Sequence, residues 1–599
     1  MLQQLAVLVS ALGLCHATTQ IVTGASLFVG DSSPIVNTSY ARFQGKNDDR
    51  TGTSNYLGIP YATAARFSHS VLADTAVSGV QNVSAYGVVC PQHELPSSID
   101  PSVLPLGSLS GVLVAALSQS TLEQGEDCLS VNIHVPQNTS STAGLPVLVW
   151  IHGGGFEAGA GGSLLETGVE SPGVVYEAAN IVERSVAMGQ PVVVVSINYR
   201  LNHFGFSTSK ELADAGLLNL GFGDQRNALR WIKKHIGPFG GDADKVTIWG
   251  ESAGSWSVAA HLVANGGDHE GLFRAAIGSS GGPLKVEGPA RQQATFDSLV
   301  SYVGCNDAAD VIACLRDAAY DDVYTHMQTV PYFLGYNSLA SSWTIRPDGD
   351  VFTDSPDKLV ASGAIADVPL LWGDMRDEGT LFSLVNAANT TTDDEVLDYF
   401  LTNWWPNATE AQLEKLLTLY PANQTAGSPF GTGDSNALYP QFKRISAITG
   451  DYSFESQRRQ LLAAAPGSKW NYLAEQALPA AVLDGTATLG EVTAADYADV
   501  GTLEAVPFLG SFHASDVVLN FFGALPSNNS RRMMGALIAF VNRLDPNAHD
   551  MEDVPAWPQY DSASRSTMLW RESGAEIVAD DYREEAIAYL NEIGDSLRI

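Results

Sequence analysis

One segment of this chain is more informative than any other, namely Lys245-Val246-Thr247-Ile248-Trp249-Gly250-Glu251-Ser252-Ala253-Gly254-Ser255-Trp256. It begins as a short β-branched strand, turns at a G-x-S-x-G pattern, and continues as an apolar run over 258–263 that suits a helix. A sharp strand-to-helix turn holds a serine hydroxyl clear of the backbone, and small residues on either side allow the bend. The first N–H groups of the helix also favour developing negative charge nearby. The segment therefore predicts that Ser252 is an activated nucleophile.

A second G-x-S-x-G pattern, Gly278-Ser279-Ser280-Gly281-Gly282, shows that the motif alone is weak evidence. Such patterns arise by chance in a chain with 56 glycines. The second pattern follows a strand-like run over 273–277, but it continues into Gly282-Pro283, where a helix cannot readily start. Because only the first pattern has the strand–turn–helix context, we favour Ser252 over Ser280 as the nucleophile.

The composition indicates a globular protein with a large core. Hydrophobic residues make up 45% of the 599 residues, and charged residues only 16%. The formal net charge is −34, and no cluster of Lys and Arg is visible. Nucleic-acid binding requires such clusters to displace counterions, so the sequence argues against a nucleic-acid partner.

The two ends of the chain predict an exported, soluble protein. Residues 1–17 form an apolar run too short to span a bilayer, and they end in small residues compatible with cleavage after Ala17. The C-terminal residues 580–599 are polar and carry no apolar tail, so we expect neither a membrane span nor a lipid anchor signal.

Cysteines and glycosylation sequons agree with export. Cleavage after Ala17 leaves Cys90, Cys128, Cys305 and Cys314, an even number that allows two disulfides in three pairings. We favour the pairing of neighbours, which closes two short loops. The chain also contains seven N-x-S/T sequons, which together with a signal peptide predict N-glycosylation. Their asparagines are Asn37, Asn82, Asn138, Asn389, Asn407, Asn423 and Asn528.

Near-continuous apolar runs recur along the chain, with helical segments between them. The runs lie at 145–151, 191–197, 246–249, 368–372 and 470–473. Continuous rather than alternating apolar character indicates strands buried on both faces, which is typical of a mostly parallel sheet flanked by helices. No linker or internal repeat divides the chain, so we expect one α/β domain with long loop insertions over residues 18–599.

A glycine-rich loop is predicted to supply an oxyanion hole. His152-Gly153-Gly154-Gly155-Phe156 follows the strand at 145–151. Glycines allow backbone N–H groups to face a substrate oxygen that side chains would otherwise block. The expected donors are Gly154, Gly155 and Ala253. We reject the interpretation of this loop as a dinucleotide-binding site, because further glycines stand where a helix should continue.

A base and an acid should follow the nucleophile in the order Ser, Asp or Glu, His. The strand at 368–372 leads to three acid candidates, Asp374, Asp377 and Glu378, which spacing alone does not separate. Two histidines lie beyond them. His549 stands in a polar acidic turn and is expected to be solvated, whereas His513 has apolar neighbours that would position its ring. We therefore predict that His513 is the base.

Several further segments give the chain a specific resemblance. From about residue 55 to 520 it resembles the type-B carboxylesterase/lipase family, which includes cholinesterases and secreted fungal lipases. The matching segments occur in the family's order. They are Gly58-Ile59-Pro60-Tyr61-Ala62, Glu126-Asp127-Cys128-Leu129, His152–Phe156, Asn198-Tyr199-Arg200-Leu201, Asp224-Gln225-Arg226, Phe239-Gly240-Gly241-Asp242, Gly250–Gly254, Asp377-Glu378-Gly379-Thr380 and Phe512-His513.

The resemblance implies an α/β-hydrolase fold and a carboxylic ester hydrolase that uses neither metal nor cofactor. It selects Glu378 as the acid, and it implies the disulfides Cys90–Cys128 and Cys305–Cys314. The expected partner is a small-molecule or lipid ester. The chain departs from the family at 63–67, where a proline-rich stretch is shortened, and at Ser279, where a glutamine is common. Both departures are expected at the rim of the substrate gorge.

Two alternatives remain open at this stage. The loop between Cys90 and Cys128 is rich in apolar residues over 109–117, and in related lipases the corresponding loop is a lid that opens at a lipid surface. It could equally be a fixed rim, as in soluble esterases of the family. The family also contains non-catalytic adhesion proteins, which lack a complete triad. The presence of Ser252, Glu378 and His513 favours the enzyme.

Overall fold

The computed structural model describes residues 33–94, 123–162, 178–340, 343–386, 389–475, 477, 508–523 and 527–599. Residues Pro34–Ile599 form one compact unit. The predicted signal peptide at 1–17 and the apolar part of the predicted lid at 109–117 lie outside the described residues, and the domain boundary at residue 18 stays a prediction.

Strands and helices alternate through most of the described chain. The strands are β1 Ile35–Asn37, β2 Arg42–Gln44, β3 Lys46–Asp48, β4 Thr53–Pro60, β5 Ala62–Thr63, β6 Val71–Leu72, β7 Val80–Asn82, β8 Ser130–Pro136, β9 Leu145–Ile151, β10 Val193–Ile197, β11 Gly241–Glu251, β12 Ala275–Ser279, β13 Leu370–Met375, β14 Lys469–Glu475, β15 Ser566–Arg571 and β16 Gly574–Ala579. The α-helices are α1 Ala178–Ala187, α2 Asn202–Phe206, α3 Lys210–Asp214, α4 Leu220–His235, α5 Ala253–Val263, α6 Gln293–Tyr302, α7 Val311–Asp317, α8 Tyr320–Met327, α9 Pro356–Ala361, α10 Asp393–Tyr399, α11 Glu410–Leu419, α12 Phe442–Gly450, α13 Ser456–Ala464, α14 Asn528–Arg543 and α15 Glu584–Glu592.

One large sheet organises the fold. Its eleven strands follow the order β16-β15-β14-β13-β12-β11-β9-β10-β8-β4-β3. The central strands from β10 to β15 pair in parallel, while β16 at one end and β8, β4 and β3 at the other pair antiparallel. The mostly parallel sheet expected from the apolar runs is thus present. Because these strands are parallel, the loops after β9, β11 and β13 leave the same edge of the sheet.

Side chains along the strands β9 to β13 divide between two apolar clusters, one on each face of the sheet. In β9, Val147, Val149 and Ile151 belong to the larger cluster, whereas Leu148 and Trp150 belong to the other. Helices cover both faces, so every position of β9 after Leu145 is buried. This explains why the strands appear in the sequence as continuous apolar runs rather than as alternating ones.

Both disulfides form in the expected pairing. Cys90 bonds to Cys128, and Cys305 bonds to Cys314. The asparagines of all seven sequons are exposed, so an attached glycan would not need to displace packed side chains. Within the described residues, no helix is both long and apolar enough to cross a membrane.

Candidate active site

Ser252 occupies the tight turn between β11 and α5. Its φ of 57° and ψ of −125° lie in a region that residues other than glycine rarely adopt, which costs about 1–3 kcal/mol. The glycines of the motif are required by close backbone approach. A Cβ on Gly250 would lie 2.2 Å from the carbonyl oxygen of Gly254, and a Cβ on Gly254 would lie 2.0 Å from that of Ile151. The Ser252 N–H donates to the carbonyl of Ser279 at 3.1 Å, which ties the turn to β12.

The glycine-rich loop after β9 lies directly against this turn. A Cβ on Gly153 would be 2.8 Å from the Cβ of Ser252. Gly154 and Gly155 have positive φ values of 100° and 64°, and within the described chain no acceptor takes either N–H. Ala253 begins α5, where a helix has no internal acceptor for its N–H. The three predicted donors therefore lie on the two segments that meet at Ser252, as an oxyanion hole requires.

His513 and Glu378 form a direct contact although 135 residues separate them. Nδ1 of His513 lies 2.5 Å from Oε2 of Glu378. The other carboxylate oxygen, Oε1, accepts a hydrogen bond from the N–H of Met375 at 2.7 Å. Both side chains are buried, and each is at most 5% exposed as a residue. A carboxylate held in this way orients the imidazole and stabilises its charged form.

A second carboxylate, Glu251, lies at the opposite side of the His513 ring. Its Oε1 is 3.0 Å from Nε2 of His513, without hydrogen-bond alignment. Because Glu251 directly precedes Ser252, this contact brings Nε2 beside the serine turn. Among the described residues, Nε2 makes no hydrogen bond, and none joins it to the Ser252 hydroxyl. Such catalytic hydrogen bonds often tighten only when substrate binds.

The two carboxylates change the acidity of the ring. Burial alone would lower the pKa of His513, but the charges of Glu251 and Glu378 outweigh it and raise the pKa to about 10. Burial also raises the pKa of Glu251, against the opposing charge of His513. A ring between two carboxylates holds its proton strongly. The site therefore stabilises an imidazolium, and the ring must lose a proton before it can act as a base.

Aromatic side chains enclose the His513 ring. The centroid of Phe454 lies 4.6 Å from that of His513, and the centroid of Phe382 lies 4.9 Å away in an edge-to-face arrangement. Trp256, one turn after Ser252 on α5, stacks on Phe454 at 6.1 Å. These rings fix the imidazole and exclude water, which strengthens electrostatic interactions within the site.

The other candidates from the sequence lie apart from this contact. Asp374 belongs to β13 itself, rather than to the loop after it, and forms a fully buried ion pair with Arg458 at 2.7 Å. Ser280 is fully buried. His549 is partly buried instead of solvated as expected, and its Nδ1 accepts the N–H of Met551 at 3.2 Å.

Sequence reasoning missed the role of two acidic residues next to the predicted ones. Glu251 faces His513, and Asp377 binds the backbone near it. The signal for Glu251 was an acidic residue at the buried end of an apolar strand, since a buried carboxylate needs a partner. For Asp377 no local signal exists, because its partners lie more than 50 residues away in the chain.

Comparisons with known proteins identify the family of the chain. Residues 32–590 match the carboxylesterase family. The chain is 38% identical to "Lipase 4" of Diutina rugosa over 85% of this chain and 87% of the relative. It is 36% identical to "Secreted lipase 1" of Botryotinia fuckeliana over 86% and 85% of the two chains.

A solved structure supports the fold independently. The crystal structure of Aspergillus niger EstA superposes with a TM-score of 0.73, at 24% identity, and the match covers 95% of this chain and 99% of EstA. The architecture is therefore the α/β-hydrolase fold. With relatives above 30% identity along most of its length, the chain belongs to the carboxylesterase family and is a carboxylic ester hydrolase.

Proposed function

We propose that the protein is a secreted serine ester hydrolase that forms an acyl-enzyme on Ser252. His513 is the general base and Glu378 its orienting acid. The N–H groups of Gly154, Gly155 and Ala253 bind the oxyanion, and their place on the two segments that meet at Ser252 supports this role. The observation that carries the proposal is the contact of Glu378 with Nδ1 of His513, which leaves Nε2 beside the strained turn at Ser252.

Acylation begins when Nε2 of His513 takes the proton of the Ser252 hydroxyl. The Oγ atom attacks the ester carbonyl carbon, and the carbonyl oxygen becomes an oxyanion that the N–H groups stabilise. Glu378 stabilises the imidazolium formed in this step. When the tetrahedral intermediate collapses, the imidazolium gives its proton to the departing alkoxide, and the alcohol leaves.

Deacylation repeats the same steps with water. His513 takes a proton from a water molecule whose oxygen attacks the acyl carbon of the Ser252 ester. The second tetrahedral intermediate uses the same oxyanion donors. Its collapse breaks the bond to Oγ, the imidazolium returns the proton to the serine oxygen, and the carboxylic acid is released.

Secretion and glycosylation are part of the proposal. The predicted signal peptide, the two disulfides and the seven exposed sequons support them together. A relative at 36% identity bears the name "Secreted lipase 1". The substrate is a small-molecule or lipid ester, and transient contact with a lipid surface is expected only if the 90–128 loop is a mobile lid.

The experiment is hydrolysis of p-nitrophenyl esters from acetate to palmitate by the purified protein and by its Ser252→Ala variant. We expect activity in the wild type and its loss in the variant, and the optimal acyl length separates an esterase from a lipase. A rise in rate above the critical micelle concentration would support a lid, and smooth saturation would support a fixed rim. A folded wild type that cleaves none of these esters would favour an enzyme of narrow specificity or the non-catalytic binding role instead.

A further inference from the structure

Asp377 directly precedes Glu378, yet its carboxylate takes part in no step of the proposed ester hydrolysis. The side chain is 4% exposed and hydrogen-bonded through both oxygens. Oδ1 accepts from the hydroxyl of Ser428 at 2.9 Å and from the N–H of Phe430 at 2.8 Å. Oδ2 accepts from the N–H of Ser511 at 3.0 Å. One buried carboxylate thus joins the acid-bearing loop to two distant segments.

The link to Ser511 runs in both directions. The N–H of Asp377 donates to the carbonyl of Ser511 at 3.0 Å, while the N–H of Ser511 donates back to the Asp377 side chain. This reciprocal pair fixes the register of the two segments two residues before His513. It acts on the backbone and makes no contact with the imidazole itself.

Two further features hold the same segments together. The hydroxyl of Thr380 lies 2.7 Å from the carbonyl of Leu509 and 2.9 Å from that of Asp377. Gly510 has a φ of +59°, and a Cβ there would lie 2.4 Å from Oδ2 of Asp377 and 2.8 Å from Cβ of Pro429. Close approach of the His513 segment to Asp377 therefore requires glycine at this position.

Hydrogen bonds, rather than a paired cation, account for most of the stabilisation of this carboxylate. Burial raises the pKa of Asp377, against the opposing effects of the N–H groups of Phe430 and Ser511 and the hydroxyl of Ser428, and the charge of Arg376 contributes less. A buried acceptor that loses a matched donor is costly, so the carboxylate favours the one arrangement of loops that supplies all its donors.

We propose that Asp377 is a positioning residue that aligns His513 with Glu378 through the backbone of Ser511. The inference rests on the proposed roles of His513 and Glu378. Glu378 follows Asp377 in the chain, and Ser511 lies two residues before His513. The hydrogen bonds between Asp377 and Ser511 therefore set the separation of the acid and the base. A shift of about 1 Å between reacting groups costs about 100-fold in rate, so this alignment affects catalysis as well as folding.

The test is a double-mutant cycle in the full-length protein. The kcat and KM for a p-nitrophenyl ester are measured for wild type, Asp377→Asn, Glu378→Gln and the double variant, each normalised to its folded fraction. Asp377→Asn keeps the size of the side chain. Its amide NH₂ group, however, would face N–H and O–H donors that the carboxylate accepts from in the wild type. We expect it to lower kcat about 100-fold in the wild-type background, with KM changed less than about threefold.

In the Glu378→Gln background the same substitution should lower kcat less than about fivefold, because the alignment it protects is already lost. Asp357→Asn is the matched control. Asp357 is a buried carboxylate bound to Arg598 and Ser355, and its substitution should lower the melting temperature while leaving kcat of the folded protein unchanged. Equal losses of kcat in both backgrounds, or an unchanged kcat in folded Asp377→Asn, would overturn the proposal.

A milder variant covers the case in which Asp377→Asn does not fold. Thr380→Val removes the hydroxyl contact with Leu509 at constant size and should lower kcat about tenfold in the wild type, but less than about twofold beside Glu378→Gln. Equal losses in the two backgrounds would overturn the proposed positioning role of Asp377. If Glu378→Gln alone retained wild-type activity, the proposed acid itself would be wrong, which is a different and recognisable result.

Discussion

Two serine turns lie side by side at the edge of the sheet, and only one is proposed to be catalytic. Ser252 follows β11 and Ser280 follows β12, and the strands pair so that the residues just before them are in register. Both serines have positive φ, 57° and 55°. Both N–H groups donate to the next strand, from Ser252 to Ser279 at 3.1 Å and from Ser280 to Gly373 at 2.8 Å. The backbone conformation alone therefore does not distinguish a nucleophile.

The surroundings of the two hydroxyls differ. Ser252 directly precedes α5 and lies against the glycine-rich loop, with Nε2 of His513 beside the turn. Ser280 is fully buried, and its hydroxyl has no hydrogen-bond partner within the described residues. No helix begins at Gly281, the residue that follows it. A nucleophile thus requires a base and oxyanion donors in addition to the strained turn.

The comparison is tested most strongly by removing the Ser252 hydroxyl. Ser252→Ala should lower kcat by about 10⁵–10⁶-fold, as expected when a triad nucleophile is lost. The fold should remain intact, since alanine tolerates the buried site. Ester hydrolysis and the melting temperature are measured together. Activity retained in the folded variant would mean that another residue, with Ser280 the first to test, is the nucleophile.

The oxyanion donors are the next difference between the two turns. Gly154→Ala keeps the N–H group but should turn it away from the oxyanion. It should lower kcat about 10²–10³-fold, because loss of one well-oriented donor has an effect of this size. The added Cβ would lie 2.2 Å from the carbonyl oxygen of Ala158, at a φ of +100° that alanine disfavours. Gly189→Ala, at an exposed turn of φ +66° with open space around it, is the control for backbone strain. Equal activities of the two variants would contradict the assignment of the loop.

The sequence predicted the parts of this site that are local. A strand, a turn and a helix identify Ser252, and the glycine run after β9 identifies the predicted donors. Continuous apolar runs predict the parallel centre of the sheet, whereas the antiparallel edge strands β3 and β16 are short or only partly buried and give no such signal.

The long-range contacts of the site cannot be predicted from local sequence patterns alone. His513 was selected by chain order and Glu378 by family resemblance, because their contact spans 135 residues. The contacts of Glu251 and Asp377 depend on how loops from separate strands approach one another, which no local pattern encodes. For the same reason His549, whose polar neighbours predict a solvated side chain, is partly buried.

Glu251 distinguishes the two turns electrostatically, because Ser279 occupies the equivalent position before Ser280. Glu251→Gln should move the acidic limb of the kcat/KM profile to lower pH. The sign follows from the base: His513 must be neutral to accept the serine proton, two carboxylates raise its pKa to about 10, and removing one of them lowers that pKa. The loss of kcat at the pH optimum should be less than about tenfold. A limb that stays in place, or moves to higher pH, would show that Glu251 does not act on His513.

The smallest effect is expected at Ser280 itself. Ser280→Ala removes a fully buried hydroxyl that has no hydrogen-bond partner among the described residues, so the folded state loses no bond and a desolvation cost is relieved. We expect the free energy of unfolding to stay the same or to rise by up to about 1 kcal/mol, and kcat to stay within about twofold. Denaturant unfolding and ester hydrolysis on the same preparation measure both. A large loss of activity with unchanged stability would mean that the Ser280 hydroxyl takes part in the reaction after all. Both turns would then take part in the reaction, and they would differ in their roles in it.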